Sequence, residues 1–319
     1  MGEGSDYSGS SWTPSYDYHT ARDTYTRDAS RSYAEAERRG TEDYDLLPES
    51  ITSQAEHAFL AVLDMTASVS TWPITYRAKA LYMDHELRTM YLSEDTDAAF
   101  IAFGDARNPT TERFPLQVRP FARGKNELAL RLGELVHTNG GGGTAHETSE
   151  LAALYIARNV HVPNQRRKPI VVFITDEMPY AEISIALARD KARVKLDKAI
   201  STKAVFEELN RKFSVYVTLK PYANSNMQPE ITKTWENLVG RDRIAHLADE
   251  ERVVDVTFGM LAHYSGKIEA FKAEIETRQT RDQVRVVYAA LQNIFKKPVS
   301  DGWSIMPGMG DEGEDVGEL

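Results

Sequence analysis

The chain has 319 residues, 41% hydrophobic and 27% charged, with a formal net charge of −10. That is enough to bury a sizeable core, and the acidic balance argues against sequence-independent binding to nucleic acid or to an anionic membrane surface. There is no cysteine, which excludes disulfides, thiolate ligands and a cysteine nucleophile. No apolar run nears the ~18 residues of a membrane span, and no signal-peptide core opens the chain, so a cytoplasmic protein is expected.

Residues 1–50 form a polar segment rich in Gly, Ser, Thr, Asp and Arg, with tyrosines at Tyr7, Tyr16, Tyr18, Tyr25, Tyr33 and Tyr44. Aliphatic residues are almost absent before Leu46, so a disordered tail is expected. "HAFLAVLDM" reads as a central, buried parallel strand. "ITYRAKALYMDHELRTMYL" follows with helical spacing, and "AAFIAFGDA" is a second strand. "GKNELALRLGELVHTN" predicts an amphipathic helix with Leu128, Leu132 and Leu135 on one face. "TSELAALYIARNV" predicts another helix and "KPIVVFITDE" another strand. Two further units follow: "STKAVFEELNRKF" with "SVYVTLKPY", then "RIAHLAD" with "RVVDVTFGMLAHYSG". Regular alternation of this kind predicts an α/β fold, a doubly wound, mostly parallel, Rossmann-like sheet flanked by helices, over residues 51–265. Residues 266–298 read as a helical extension whose apolar positions Val284, Val287, Tyr288, Leu291, Ile294 and Phe295 pack back on the sheet. Residues 299–319 read as an acidic, flexible tail.

Ligands of such sheets sit beyond the carboxyl ends of the strands. Three segments bring oxygen-bearing side chains there. The first is Asp64-Met-Thr66-Ala-Ser68, directly after an apolar strand. The second is "GGGGTAHETSE", a glycine run that leads into a helix and carries Thr144 and Thr148. The third is "FITDE", ending in Asp176 and Glu177. Carboxylates and hydroxyls are hard ligands of the kind Mg²⁺ prefers. Asp105 lies near the same edge and reads as a turn residue.

This ordered set resembles the von Willebrand factor type A (VWA) domain and its metal-ion-dependent adhesion site, the MIDAS. The family pattern is D-x-S-x-S after the first strand, a Thr opening a later helix, and an Asp after the fourth strand. The similarity covers roughly residues 53–265 and looks like bacterial and phage VWA proteins. By that resemblance Asp64, Thr66, Ser68, Thr148 and Asp176 would hold Mg²⁺ or Mn²⁺. Thr144 competes with Thr148; family helices carry Ala-Leu five and six residues after the ligand, and Ala153 and Leu154 favour Thr148. Thr66 stands where Ser is usual and keeps the hydroxyl. Glu177 stands where Gly is usual and adds a carboxylate that either tightens the site or takes the position left for a partner. The resemblance implies a protein-binding module, not an enzyme, whose partner offers an Asp or Glu carboxylate, with AAA+ ATPases among the partner classes. Self-association would be seated in the tails or the C-terminal helix.

Other chemistries fit less well. A metal-dependent phosphotransferase with Asp64 as nucleophile normally needs a second acid where Thr66 stands, and a threonine hydroxyl is no general acid at neutral pH. No Gly-Lys-Ser/Thr follows the glycine run, as a phosphate loop requires. The eight histidines show no paired zinc spacing. A metal-free assembly scaffold is the remaining alternative.

Overall fold

The computed structural model describes residues 46–69, 72–108, 114–136 and 144–297. The expected tails, apart from 46–50, and the glycine run Gly140–Gly143 therefore lie outside the described residues. Six strands form the central sheet: β1 His57–Asp64, β2 Thr96–Phe103, β3 Leu116–Val118, β4 Ile170–Thr175, β5 Ser214–Leu219 and β6 Ile244–His246. Their order is β6-β5-β4-β1-β2-β3, all parallel except β3, which runs antiparallel to β2. The α/β, doubly wound architecture expected from the alternating pattern is the one observed. β3 is a strand the periodicity did not single out, since three residues are too few to show alternation.

Strand order proceeds outward in both directions from β1, which pairs with β2 on one side and β4 on the other. The junction between β1 and β4 is thus the topological switch point, where two crossovers diverge and leave a crevice at the strands' carboxyl ends. Asp64 ends β1, and Asp176 follows β4.

The ten α-helices among the described residues are α1 Trp72–Ala78, α2 Ala80–Glu86, α3 Lys125–Gly133, α4 Ser149–Asn159, α5 Ile185–Ala192, α6 Thr202–Lys212, α7 Gln228–Val239, α8 Val253–Ser265, α9 Ile268–Arg278 and α10 Arg281–Phe295. β1 is apolar from Ala58 to Leu63 because both its faces are covered. Phe59, Ala61 and Leu63 point into a core shared with residues of α1, α3, α8, α9 and α10. Leu60 and Val62 point into a second core, shared with α4, α5, α6 and α7. Among the described residues no helix is long and apolar enough to cross a membrane.

The C-terminal helical stretch is two helices. Thr280 breaks it: its hydroxyl accepts from the Gln283 N–H while the Gln283 side chain accepts from the Thr280 N–H, a capping box. Val284, Val287, Leu291 and Ile294 are buried, so this face is used within the chain's own core. Tyr288 and Phe295 pack at its rim. Contact between α8 and α10 depends on Gly259, where an added Cβ would lie 2.1 Å from Leu291 Cδ1.

Two predictions follow from this packing. Gly259→Ala must displace the buried Leu291, so it is expected to lower stability by about 1–3 kcal/mol of overpacking, less the ~1 kcal/mol that Ala gains over Gly in a helix; chemical denaturation of the variant measures the net loss. The second concerns the acids between α2 and α9. Arg278 lies 3.8 Å from Glu86 and 3.1 Å from Glu274. Burial, reinforced by Glu274, holds the Glu86 carboxyl well above the usual carboxylate range. The folded form therefore binds the proton more tightly, and this stabilisation is full at low pH and lost as pH rises through the raised folded value. Glu86→Gln is expected to narrow the difference in melting midpoint between pH 5 and pH 9.

Candidate functional site

The site is built on the turn that ends β1. Asp64 is buried, and its Oδ1 accepts from both the Thr66 N–H at 2.9 Å and the Thr66 hydroxyl at 2.6 Å. This is the Asx-type closure that an Asp favours where a strand stops. Its Oδ2 accepts from the Thr175 hydroxyl at 3.0 Å, across the switch point. A short 3₁₀ turn, Ala67–Val69, then brings Ser68 round so that its hydroxyl donates to Asp176 Oδ1 at 2.8 Å. The Thr66 and Ser68 oxygens are 3.2 Å apart.

Asp64, Thr66, Ser68 and Asp176 thus form one chain of oxygens with three close contacts. Two hydroxyls supply only two hydrogens. With each hydroxyl donating to an acid, the Thr66 and Ser68 oxygens meet without a hydrogen between them, leaving lone pairs that a proton or a cation could meet. The two carboxyls are also shifted in the same direction. Burial, and then the charge of Asp176, push the Asp64 carboxyl up; burial also raises Asp176, against the bond from Ser68 and the charge of Lys220. Both ends of the chain, Asp64 and Asp176, are buried, and Ser68 between them is exposed, so the cluster reaches solvent at Ser68.

The other expected residues lie elsewhere. Thr148 is buried at the start of α4, where its hydroxyl donates to the Gly104 carbonyl at 2.6 Å and accepts from the Ala106 N–H at 3.1 Å. Thr144 is exposed, its hydroxyl 3.5 Å from the His146 carbonyl. Among the described residues neither bonds to the Asp64–Asp176 chain. Between them Ala145 takes a left-handed backbone, φ 60°, while its carbonyl accepts from the Met178 N–H at 3.1 Å. An alanine there costs of order 1 kcal/mol, held by the short parallel pairing of His146–Glu147 with Met178–Pro179.

Glu177 is buried, with one carboxylate oxygen lacking a hydrogen-bond partner. Burial and the charges of Asp176, Asp64 and Asp105 push its carboxyl up to about 8. Its carbonyl accepts from the Trp235 indole at 2.9 Å, which fixes the backbone beside the cluster. Asp105 closes its own turn by accepting from the Arg107 N–H at 2.9 Å, and accepts from the Tyr180 hydroxyl at 3.2 Å. Glu150, also buried, is pushed up to about 8, chiefly by burial.

The donor chemistry of the oxygen chain fits a hard divalent cation: two carboxylates and two hydroxyls. Among the described residues no three His, Cys, Asp or Glu side chains gather as a metal cluster, so the hydroxyls of Thr66 and Ser68 would be indispensable. Thr148 as placed does not fit, because its hydroxyl is committed to the loop after β2. Thr175 and Lys220 were not picked out from the sequence. Their signal was position: Thr175 ends β4, which borders the switch point, and Lys220 follows β5, the next strand over.

A scan against protein-family models finds no match, and neither does a search of curated proteins. Among solved structures the chain is similar to the pilus adhesin SpaC from Lactobacillus rhamnosus GG in its open conformation, at 8% identity and a TM-score of 0.46, over 70% of this chain and 31% of that one. It is also similar to proximal thread matrix protein 1 from the mussel byssus, at 9% identity and a TM-score of 0.45, over 65% of this chain and 48% of that one. The chain thus spans less than half of either protein.

The two threonines are separable by stability. Thr148→Val leaves the buried Ala106 N–H without its partner and is expected to cost about 1–3 kcal/mol. Thr144→Val, at an exposed position, is expected to stay within ~0.5 kcal/mol of the parent. Denaturant midpoints of the two variants test the contrast.

Proposed function

We propose that this chain is a VWA-type, non-enzymatic protein-binding module that works through a divalent cation, in the cytoplasm, as part of a bacterial or phage multiprotein system. The observation that carries the reading is the oxygen chain Asp64–Thr66–Ser68–Asp176, with three close contacts and two hydrogens. Asp64, Thr66, Ser68 and Asp176 would hold Mg²⁺ or Mn²⁺. The bound ion would supply a positive centre that a partner's Asp or Glu carboxylate can meet.

The chain's own residues prepare that meeting. Thr66 and Thr175 fix both oxygens of Asp64, so the anchor is oriented before any ligand arrives. Ser68 brings one member of the cluster to the surface. The backbone of Glu177 is pinned by Trp235, which holds the segment after β4 in place. A partner acid is favoured over a neutral group because a hard cation selects anionic oxygen. The partner class named by the resemblance, an AAA+ ATPase, belongs to this proposal as well.

Titration calorimetry of the full chain with Mg²⁺ tests the reading. Saturable binding is expected for the parent and its loss for Asp64→Ala, with affinity falling at acid pH as protons compete for the raised carboxyls. Heat that shows no saturation in the parent would sink the proposal. If partner capture is as strong in EDTA as in Mg²⁺, the cation has no part in recognition.

A further inference from the structure

Lys220 directly follows β5 at the same sheet edge as the oxygen chain. Its backbone N–H donates to the Thr175 carbonyl at 2.9 Å, and the Thr175 hydroxyl in turn holds Asp64. Its ammonium donates to the Ser68 carbonyl, and the Ser68 hydroxyl in turn holds Asp176. One lysine is therefore tied, through its backbone and through its side chain, to the two residues that grip the two acids.

The neighbouring charges single it out. Arg107 acts on Glu150 and sits over the Tyr180 ring, 4.2 Å from its centroid. For Asp176 the cation that offsets burial is Lys220. Among the described residues no Lys, Arg or His makes a direct ion pair with Asp64 or Asp176. The half-exposed ammonium lies beside the exposed lip at Ser68, on a flexible four-carbon stem that can swing into water.

We propose that Lys220 is the resident counter-cation of the Asp64–Asp176 pair and competes with a divalent ion for it, a role that rests on the metal reading above. Without the ion, the ammonium offsets part of the charge of the two buried acids and keeps the turn at Ser68 closed over them. With the ion in place, two cations would stand beside one another and repel, so the ammonium must leave for solvent. The metal affinity of the cluster is then set by how firmly Lys220 is seated, and not by the oxygen ligands alone.

The test uses the full chain and Mg²⁺ itself. Lys220→Met keeps the stem and removes the charge, Lys220→Gln is a second neutral variant, and Lys220→Arg keeps the charge. Calorimetry is expected to show Mg²⁺ binding about tenfold tighter for the neutral variants and within about twofold of the parent for Lys220→Arg. Thermal unfolding in EDTA supplies the second readout: Lys220→Met lowers the midpoint, and this loss disappears in an Asp176→Asn background. If the parent binds Mg²⁺ and the neutral variants bind it no more tightly, Lys220 does not compete and the metal reading survives. If no form of the chain binds Mg²⁺ saturably, the metal reading falls and the competition falls with it.

Discussion

Two acids placed below the surface at the point where the strand order reverses set the terms for everything around them. Burying a charge is unfavourable unless a partner compensates it, and here Asp64 and Asp176 also raise each other's cost. The local structure is organised to bear this. Thr66, Thr175 and Ser68 each donate a hydroxyl hydrogen to one of the acids. These bonds offset part of the cost, and the charge of Lys220 offsets more of it at Asp176.

Keeping such a pair in place requires a rigid frame. The frame is the apolar β1 strand, sealed on one face by α4 to α7 and on the other by α1, α3 and α8 to α10. Register across β1, β2 and β4 places Asp64 opposite Phe103 and Leu63 opposite Ile174, so both acids emerge from the sheet together. A shift of one residue in either pairing would turn apolar side chains outward, which is why the register is strongly specified. The loop after β2 is bound to the frame separately, through Thr148 and its contacts with Gly104 and Ala106.

The fold was legible where pattern is long: continuous apolar runs at Phe59–Leu63 and Ile170–Ile174, separated by helix-period segments, leave little choice but a parallel sheet covered on both faces. Asp64, Thr66, Ser68 and Asp176 were legible for a related reason, because local turn chemistry and position at strand ends are written in adjacent residues. The break at Thr280 was also present in the sequence, as a Thr followed three residues later by Gln, in a polar stretch, residues 276–283, between the apolar positions of the two helices. What could not be read was anything set by distant side chains competing for one hydroxyl. Thr148 has the right residue type and offset, yet its oxygen answers to Gly104 and Ala106, whose proximity only the folded β2 end creates. Lys220 lacked any local motif, and only strand order brings it beside Ser68.

The position of α10 has a consequence for how the protein comes into being. Its Val287 and Leu291 complete the same core that Phe59 and Leu63 of β1 begin. During synthesis the first strand emerges long before the last helix of this core, so the core it begins is not complete until residues near 295 have left the ribosome. Such non-local closure slows folding and leaves apolar strand surface open to other chains meanwhile. The turn that carries Asp64 and Thr66 ends that same strand, so its surroundings are complete only when the later elements of the shared core have packed.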